Sequence, residues 1–159
     1  MRTIIFYATK YGAAREAAER LSGYIDDVVV HDLQAGHLPD LAGFDTVILG
    51  SAIYAGSIRK EAKAFLAAHK SELMQKRLGF YLCGISKEEE QVCFEKNFPK
   101  ELLQKATATS LFGGIFDPKK ANMAERLIMK AAAKQSGYVD TIDNEKIKQF
   151  ATLIAKGDE

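Results

Sequence analysis

The chain has little that would cross-link it or fix it in a membrane. Its two cysteines, Cys83 and Cys93, are too few for a disulfide framework and form no C-x-x-C pair, so any redox chemistry needs a cofactor. Neither sign of charge dominates: 22 Lys and Arg stand against 21 Asp and Glu, a net charge of +1. With no long Lys/Arg block, that balance leaves no footprint for nucleic acid. No run approaches the roughly eighteen apolar residues of a membrane helix, and the first residues lack the basic start and apolar stretch of a signal peptide. A cytoplasmic location is the expectation. Internal repeats and low-complexity segments are absent. So are the strict phosphate motifs: no G-K-[ST] follows Gly12, and there is no G-x-G-x-x-G.

What is present is a chain of 159 residues, 47% hydrophobic and 27% charged, long enough to bury one sizeable core. It reads as a single domain over 1–159. Strand-like and helix-like segments alternate throughout, the pattern of βαβ units with a mostly parallel sheet. Strands are expected at Thr3 to Ala8, Asp27 to Asp32, Thr46 to Gly50, Arg77 to Cys83 and Ala108 to Phe116. Helices are expected at about Ala13 to Gly23, Arg59 to His69, Glu88 to Lys105 with a break near Pro99, Ala121 to Gln135 and Asn144 to Lys156. Five strands with helices in this order suit a doubly wound α/β fold, a five-stranded parallel sheet of order 2-1-3-4-5 with helices on both faces.

Three strand ends then attract attention. Thr3 to Ala14, T-I-I-F-Y-A-T-K-Y-G-A-A, carries a buried strand into a turn with a hydroxyl and a glycine that opens a helix. A phosphate there would meet backbone N–H groups and the positive end of the helix dipole. Thr9 would offer a hydroxyl, Gly12 a close backbone approach and Lys10 a charge from the rim. The same residues also suit an ordinary turn in which Thr9 and Gly12 only cap the helix. The second segment, Gly50 to Arg59, G-S-A-I-Y-A-G-S-I-R, ends a strand in small residues and then presents Ile53 and Tyr54. These would cover the face of a planar ring, or pack the loop over the sheet edge. The third, Cys83-Gly84-Ile85-Ser86, again puts small residues at a carboxyl edge. Loops after the first, third and fourth expected strands converge where the switch-point rule puts a ligand, and a mononucleotide is favoured over NAD or ATP.

With these loops the chain resembles a flavodoxin-fold FMN protein, and more narrowly the bacterial menaquinone-dependent protoporphyrinogen dehydrogenase group. The signs are T-K-Y-G-A-A, then G-S-A-I-Y-A-G followed by a helix, then the late run G-G-I-F-D-P-K-K-A-N-M-A-E-R-L-I-M-K. The resemblance implies a flavodoxin-like fold with FMN as cofactor. It puts Thr9, Lys10, Tyr11, Gly12, Ala13 and Ala14 around the FMN phosphate. Ser51, Ala52, Ile53, Tyr54, Ala55 and Gly56, with Cys83, Gly84, Ile85 and Ser86, would surround the isoalloxazine. Two departures stand out. Ala14 replaces the threonine or serine that usually closes the phosphate loop, and Ser86 to Lys105 is shorter than the corresponding insertion in the group.

Flavin chemistry asks little acid–base machinery of the protein, so no catalytic acid or base is assigned. Tyr54 and backbone groups at Gly56 and Gly84 would instead tune the ring. His31, His37 and His69 are scattered and suggest no metal site. Cys83 reads either as redox sensitive or as a small buried residue. The implied function is an FMN-dependent oxidoreductase moving electrons between a reduced substrate such as protoporphyrinogen and menaquinone. The alternative is a non-enzymatic electron carrier serving a redox partner protein. A signalling receiver would need acidic residues where the first and third strands end in Ala8 and Gly50. A flavin-free scaffold stays open because of Ala14. Lys119, Lys120, Arg126, Lys130 and Lys134 lie on one cationic segment, which reads as an amphipathic helix packed on the sheet or as a peripheral contact with the inner face of the membrane.

Overall fold

A computed structural model describes residues 1–84, 86, 88–116, 119 and 138–156. The strands are β1 (Thr3–Ala8), β2 (Val28–Asp32), β3 (Thr46–Tyr54), β4 (Ser57–Ile58), β5 (Arg77–Cys83), β6 (Ala108–Leu111), β7 (Ile115–Phe116) and β8 (Val139–Asp140). The helices are α1 (Ala13–Ser22), α2 (Lys60–Leu73), α3 (Glu90–Asn97), α4 (Lys100–Lys105) and α5 (Asn144–Lys156).

Five parallel strands stand in the order β2-β1-β3-β5-β6, which is 2-1-3-4-5 counted over the parallel strands alone. The short β4 folds back antiparallel on β3 and makes the sheet six-stranded rather than five-stranded. Central strands covered on both faces read as continuous apolar runs. Accordingly β1 is buried along its whole length, while the edge strand β2 is only half-buried.

Alternation along β1 divides the core. Ile4, Phe6 and Ala8 join the cluster with Phe65 of α2, Phe94 of α3 and Leu102 of α4. Ile5 and Tyr7 point the other way, toward Ala17 of α1 and Phe150 of α5. Each fully buried Leu, Ile or Phe contributes about 1.5–3 kcal/mol, so the loops rest on a stiff platform. Register sets where they emerge: Ala8 lies opposite Ser51, and Ala52 opposite Cys83. The chain therefore leaves β1, β3 and β5 at one carboxyl edge.

Several boundaries differ from expectation. β3 does not stop at Gly50 but continues to Tyr54, because a hairpin supplies β4 as a partner for its last residues. The last expected strand, Ala108 to Phe116, ends at Leu111. Gly113 has φ +95°, outside the extended range of L-residues, and beyond it Ile115 and Phe116 pair antiparallel with Asp140 and Val139. The region after Glu88 divides into α3 and α4 at Phe98 and Pro99. The expected helix from Ala121 to Gln135 lies outside the described residues. Among the described residues, no helix is long and apolar enough to cross a membrane.

Candidate functional site

The loop from β1 to α1 is shaped by one local bond. The Gly12 N–H donates to Thr9 Oγ1 across 2.9 Å, and Gly12 itself takes φ +102°, which an L side chain rarely adopts. Because Thr9 accepts through its oxygen, its hydroxyl proton is left to donate elsewhere. Ala14 lies behind the loop, wholly buried against Tyr81 in the cluster beneath α1. A side chain at this position packs inward rather than facing the loop's ligand side.

The second loop is a two-residue hairpin. Ala55 and Gly56 have φ +51° and +80°, the type I′ pattern that matches strand twist. It is pinned at both ends. Ser51 Oγ accepts from the Arg59 N–H at 3.0 Å and donates to the Ala52 carbonyl at 2.9 Å. At the tip, Asn97 of α3 accepts from the Ile58 N–H at 3.0 Å, while its Nδ2 donates to the carbonyls of Gly56 at 2.9 Å and Cys93 at 2.8 Å. Ser51, expected beside a ring, is fully buried and ties the hairpin base instead. The hairpin presents Tyr54, 45% exposed, to the first loop. There the Lys10 ammonium lies 4.9 Å from the Tyr54 ring centre and 5.1 Å from that of Tyr11.

The third loop leaves β5 at Cys83, whose thiol is 1% exposed and pushed by burial to a pKa of about 12. It is protonated at neutral pH and is no nucleophile. Next, the Gly84 N–H donates to the Gly113 carbonyl at 2.8 Å. A Cβ on Gly84 would stand 2.9 Å from the Ile53 carbonyl oxygen, and one on Gly114 would stand 3.0 Å from Gly84 Cα. The ends of β5 and β6 thus meet as bare backbone. Ser86 Oγ sits 3.2 Å from Cys93 Sγ.

These loops enclose a cavity of about 90 Å³. Thr9, Lys10, Tyr11 and Ala13 line it from the first loop, Ala52, Ile53 and Tyr54 from the second, and Cys83 and Gly84 from the third. Gly12 and Ala14 lie outside its lining, as do Ser51, Ala55, Gly56 and Ser86; Ile85 lies outside the described residues. Three lining residues carry no binding role in the sequence analysis: Arg59, the last residue of the second segment, and Gly114 and Ile115 of the late run. The Gly113-Gly114 pair carries the same small-residue signal as the other strand ends, hidden by extending the last strand to Phe116. A roomier groove of about 480 Å³, between α3, α4 and Thr109, contains none of the three loops. The converging loops, rather than volume, mark the candidate site.

The sequence matches the flavodoxin domain family over residues 4–142, and the chain belongs to that family. No functionally curated protein matches it. Among solved structures it is similar to oxidised flavodoxin 1 of Bacillus cereus, with TM-score 0.64 and 16% identity over 98% of each chain. It is also similar to the Fusobacterium nucleatum flavodoxin bound to flavin mononucleotide, with TM-score 0.53 and 15% identity over 98% of each chain. A third is the rubredoxin oxygen:oxidoreductase of the anaerobe Desulfovibrio gigas, with TM-score 0.61, 18% identity and 98% of this chain covered. This chain spans only 35% of that protein's length. Identities this low speak for the fold alone.

Proposed function

We propose that the chain binds FMN at the carboxyl edge of the sheet and transfers electrons through it. The observation that carries this reading is the convergence of the loops after β1, β3 and β5 on one cavity. The residues present suit the group. Gly84 and Gly114 let the ends of β3, β5 and β6 close up beside the cavity, since a Cβ on either would meet neighbouring backbone. Thr9 keeps a hydroxyl proton for a phosphate oxygen, and the start of α1 adds its dipole. The F. nucleatum relative carries flavin mononucleotide by its own description.

In this reading Thr9, Lys10, Tyr11, Gly12, Ala13 and Ala14 form the phosphate end, Ala14 through its backbone. Ala52, Ile53 and Tyr54 flank the ring, and Cys83 and Gly84 edge it. Ser51, Ala55, Gly56 and Ser86 hold the loops in shape. A cavity of about 90 Å³ receives only the inner part of such a ligand. Bound FMN supplies the redox chemistry, exchanging electrons singly or as hydride. The chain would orient the ring and shield one face with Tyr54, while the buried Cys83 thiol stays protonated.

At the finer level the reading is an oxidoreductase that takes electrons from a reduced substrate such as protoporphyrinogen and delivers them to menaquinone. What supports it is the late run from Gly113 to Lys130 in the sequence. The rival is a carrier serving a redox partner protein, a role that fits the exposed Tyr54 over the cavity. Anaerobic assays with FMN-loaded protein separate the two. Porphyrinogen oxidation coupled to a menaquinone analogue supports the enzyme. Transfer only to an added redox protein supports the carrier, and transfer to neither contradicts the proposal.

A further inference from the structure

Arg59 closes the second segment that the sequence marks, where no role attaches to it, and it lines the cavity. Its backbone is fixed there by the bond from its N–H to Ser51 Oγ, at the residue preceding α2. Its side chain is 24% exposed, and its Nε is shielded from solvent without a hydrogen-bond partner. The nearest carboxylate oxygen, Glu61 Oε2, is 3.8 Å from that Nε, beyond hydrogen-bonding reach, and likewise has no partner. Glu61 draws on other donors. Burial alone would raise its pKa, but its own backbone N–H, the Gln34 amide and nearby Arg59 together bring it below the usual carboxylate value. Arg59 is thus a cation held loosely by its own carboxylate, with an unpartnered Nε, on the wall of the cavity that Thr9 and Lys10 also line.

We propose that Arg59 is a phosphate-recognising residue, whose guanidinium makes a charge-assisted bond to the phosphate monoester of the ligand and sets selectivity for FMN over riboflavin. The proposal rests on the FMN reading above. A guanidinium suits this role because its planar fork donates to two oxygens at once and stays ionised. A phosphate monoester brings close to two negative charges near neutral pH.

The test is a titration of FMN and of riboflavin into the flavin-free protein, its Arg59→Gln and Arg59→Lys variants, and Glu61→Gln, with thermal midpoints recorded for each. Arg59→Gln is expected to weaken FMN by about tenfold to a hundredfold, the range of one charge-assisted bond, with riboflavin affinity within about twofold of the parent. Arg59→Lys should recover part of the loss. Glu61→Gln, which frees the guanidinium, should tighten FMN and leave riboflavin unchanged. Unchanged FMN affinity in Arg59→Gln overturns the proposal, and so does an equal loss for both ligands, which would make Arg59 a shaper of the cavity. If the parent protein binds neither ligand, the FMN reading fails first and Arg59's role falls with it.

Discussion

The hydroxyl of Tyr81 donates to the carbonyl oxygen of Ala14 across 2.8 Å, tying β5 to the first turn of α1 behind the loop that joins β1 to α1. Tyr81 is fully buried, and its ring lies where Gly50 of β3 leaves room: a Cβ on Gly50 would stand 1.8 Å from Tyr81 Cζ. Tyr81→Phe should therefore cost about 1 kcal/mol, the net worth of one hydrogen bond, and loosen the start of α1. Gly50→Ala should cost about 3 kcal/mol or more, because the ring has no vacant space to enter. Urea unfolding of both variants checks the order: a Gly50→Ala protein as stable as the parent would contradict this packing.

Asn97 is the second long-range tie, uniting α3 with the hairpin that carries Tyr54. Asn97→Asp keeps the acceptor for the Ile58 N–H but sets a carboxylate against the carbonyls of Gly56 and Cys93. Asn97→Ala loses both functions. Flavin release, followed by stopped-flow fluorescence, should be faster in both variants, with the fold retained in far-UV circular dichroism. Equal release rates in parent and variants would show that the hairpin holds its position without this amide.

Tyr54 should act on the ring rather than the phosphate. Removing its side chain by Tyr54→Ala is expected to weaken FMN and riboflavin alike, by about tenfold if a stacked aromatic contact of roughly 1–1.5 kcal/mol is lost. Loss confined to FMN would instead place Tyr54 at the phosphate end. Parallel titrations with the two ligands distinguish the outcomes.

Cys83 links the site to pH. Its folded-state pKa of about 12 lies above the ordinary 9.0, so the folded protein holds this proton more tightly than the unfolded chain. The associated stability is complete below about pH 9 and declines as pH rises toward about 12. Burial also raises Tyr81 well above its ordinary value, which acts in the same direction. Unfolding midpoints should fall between about pH 8 and about pH 11, less steeply in Cys83→Ala. In the native protein at about pH 8 the thiol should resist alkylation until denaturant is added. A rapidly labelled Cys83 would contradict its burial.

The buried strands were plain in the sequence because β1 and β5 are covered on both faces, and Thr3 to Ala8 and Arg77 to Cys83 read as continuous apolar runs. The carboxyl-edge loops followed from them. The hairpin was obscured because Gly50-Ser51-Ala52 resembles a strand end, and its turn uses Ala55 at positive φ where Asn or Gly is usual. Arg59 sits beside the cavity only because that unread hairpin returns the chain to Ser51. Asn97 and Tyr81 act across 41 and 67 residues of sequence, and no local pattern announces such partners.

The central claim is that the cavity at the carboxyl edge holds FMN by both ring and phosphate. Titration of the flavin-free protein with FMN and with riboflavin, read by fluorescence quenching and a shift in the visible band, tests it most directly. The account predicts strong quenching with tight binding of FMN and much weaker binding of riboflavin. Binding of neither would leave a flavodoxin-domain scaffold without its redox cofactor and would contradict the account.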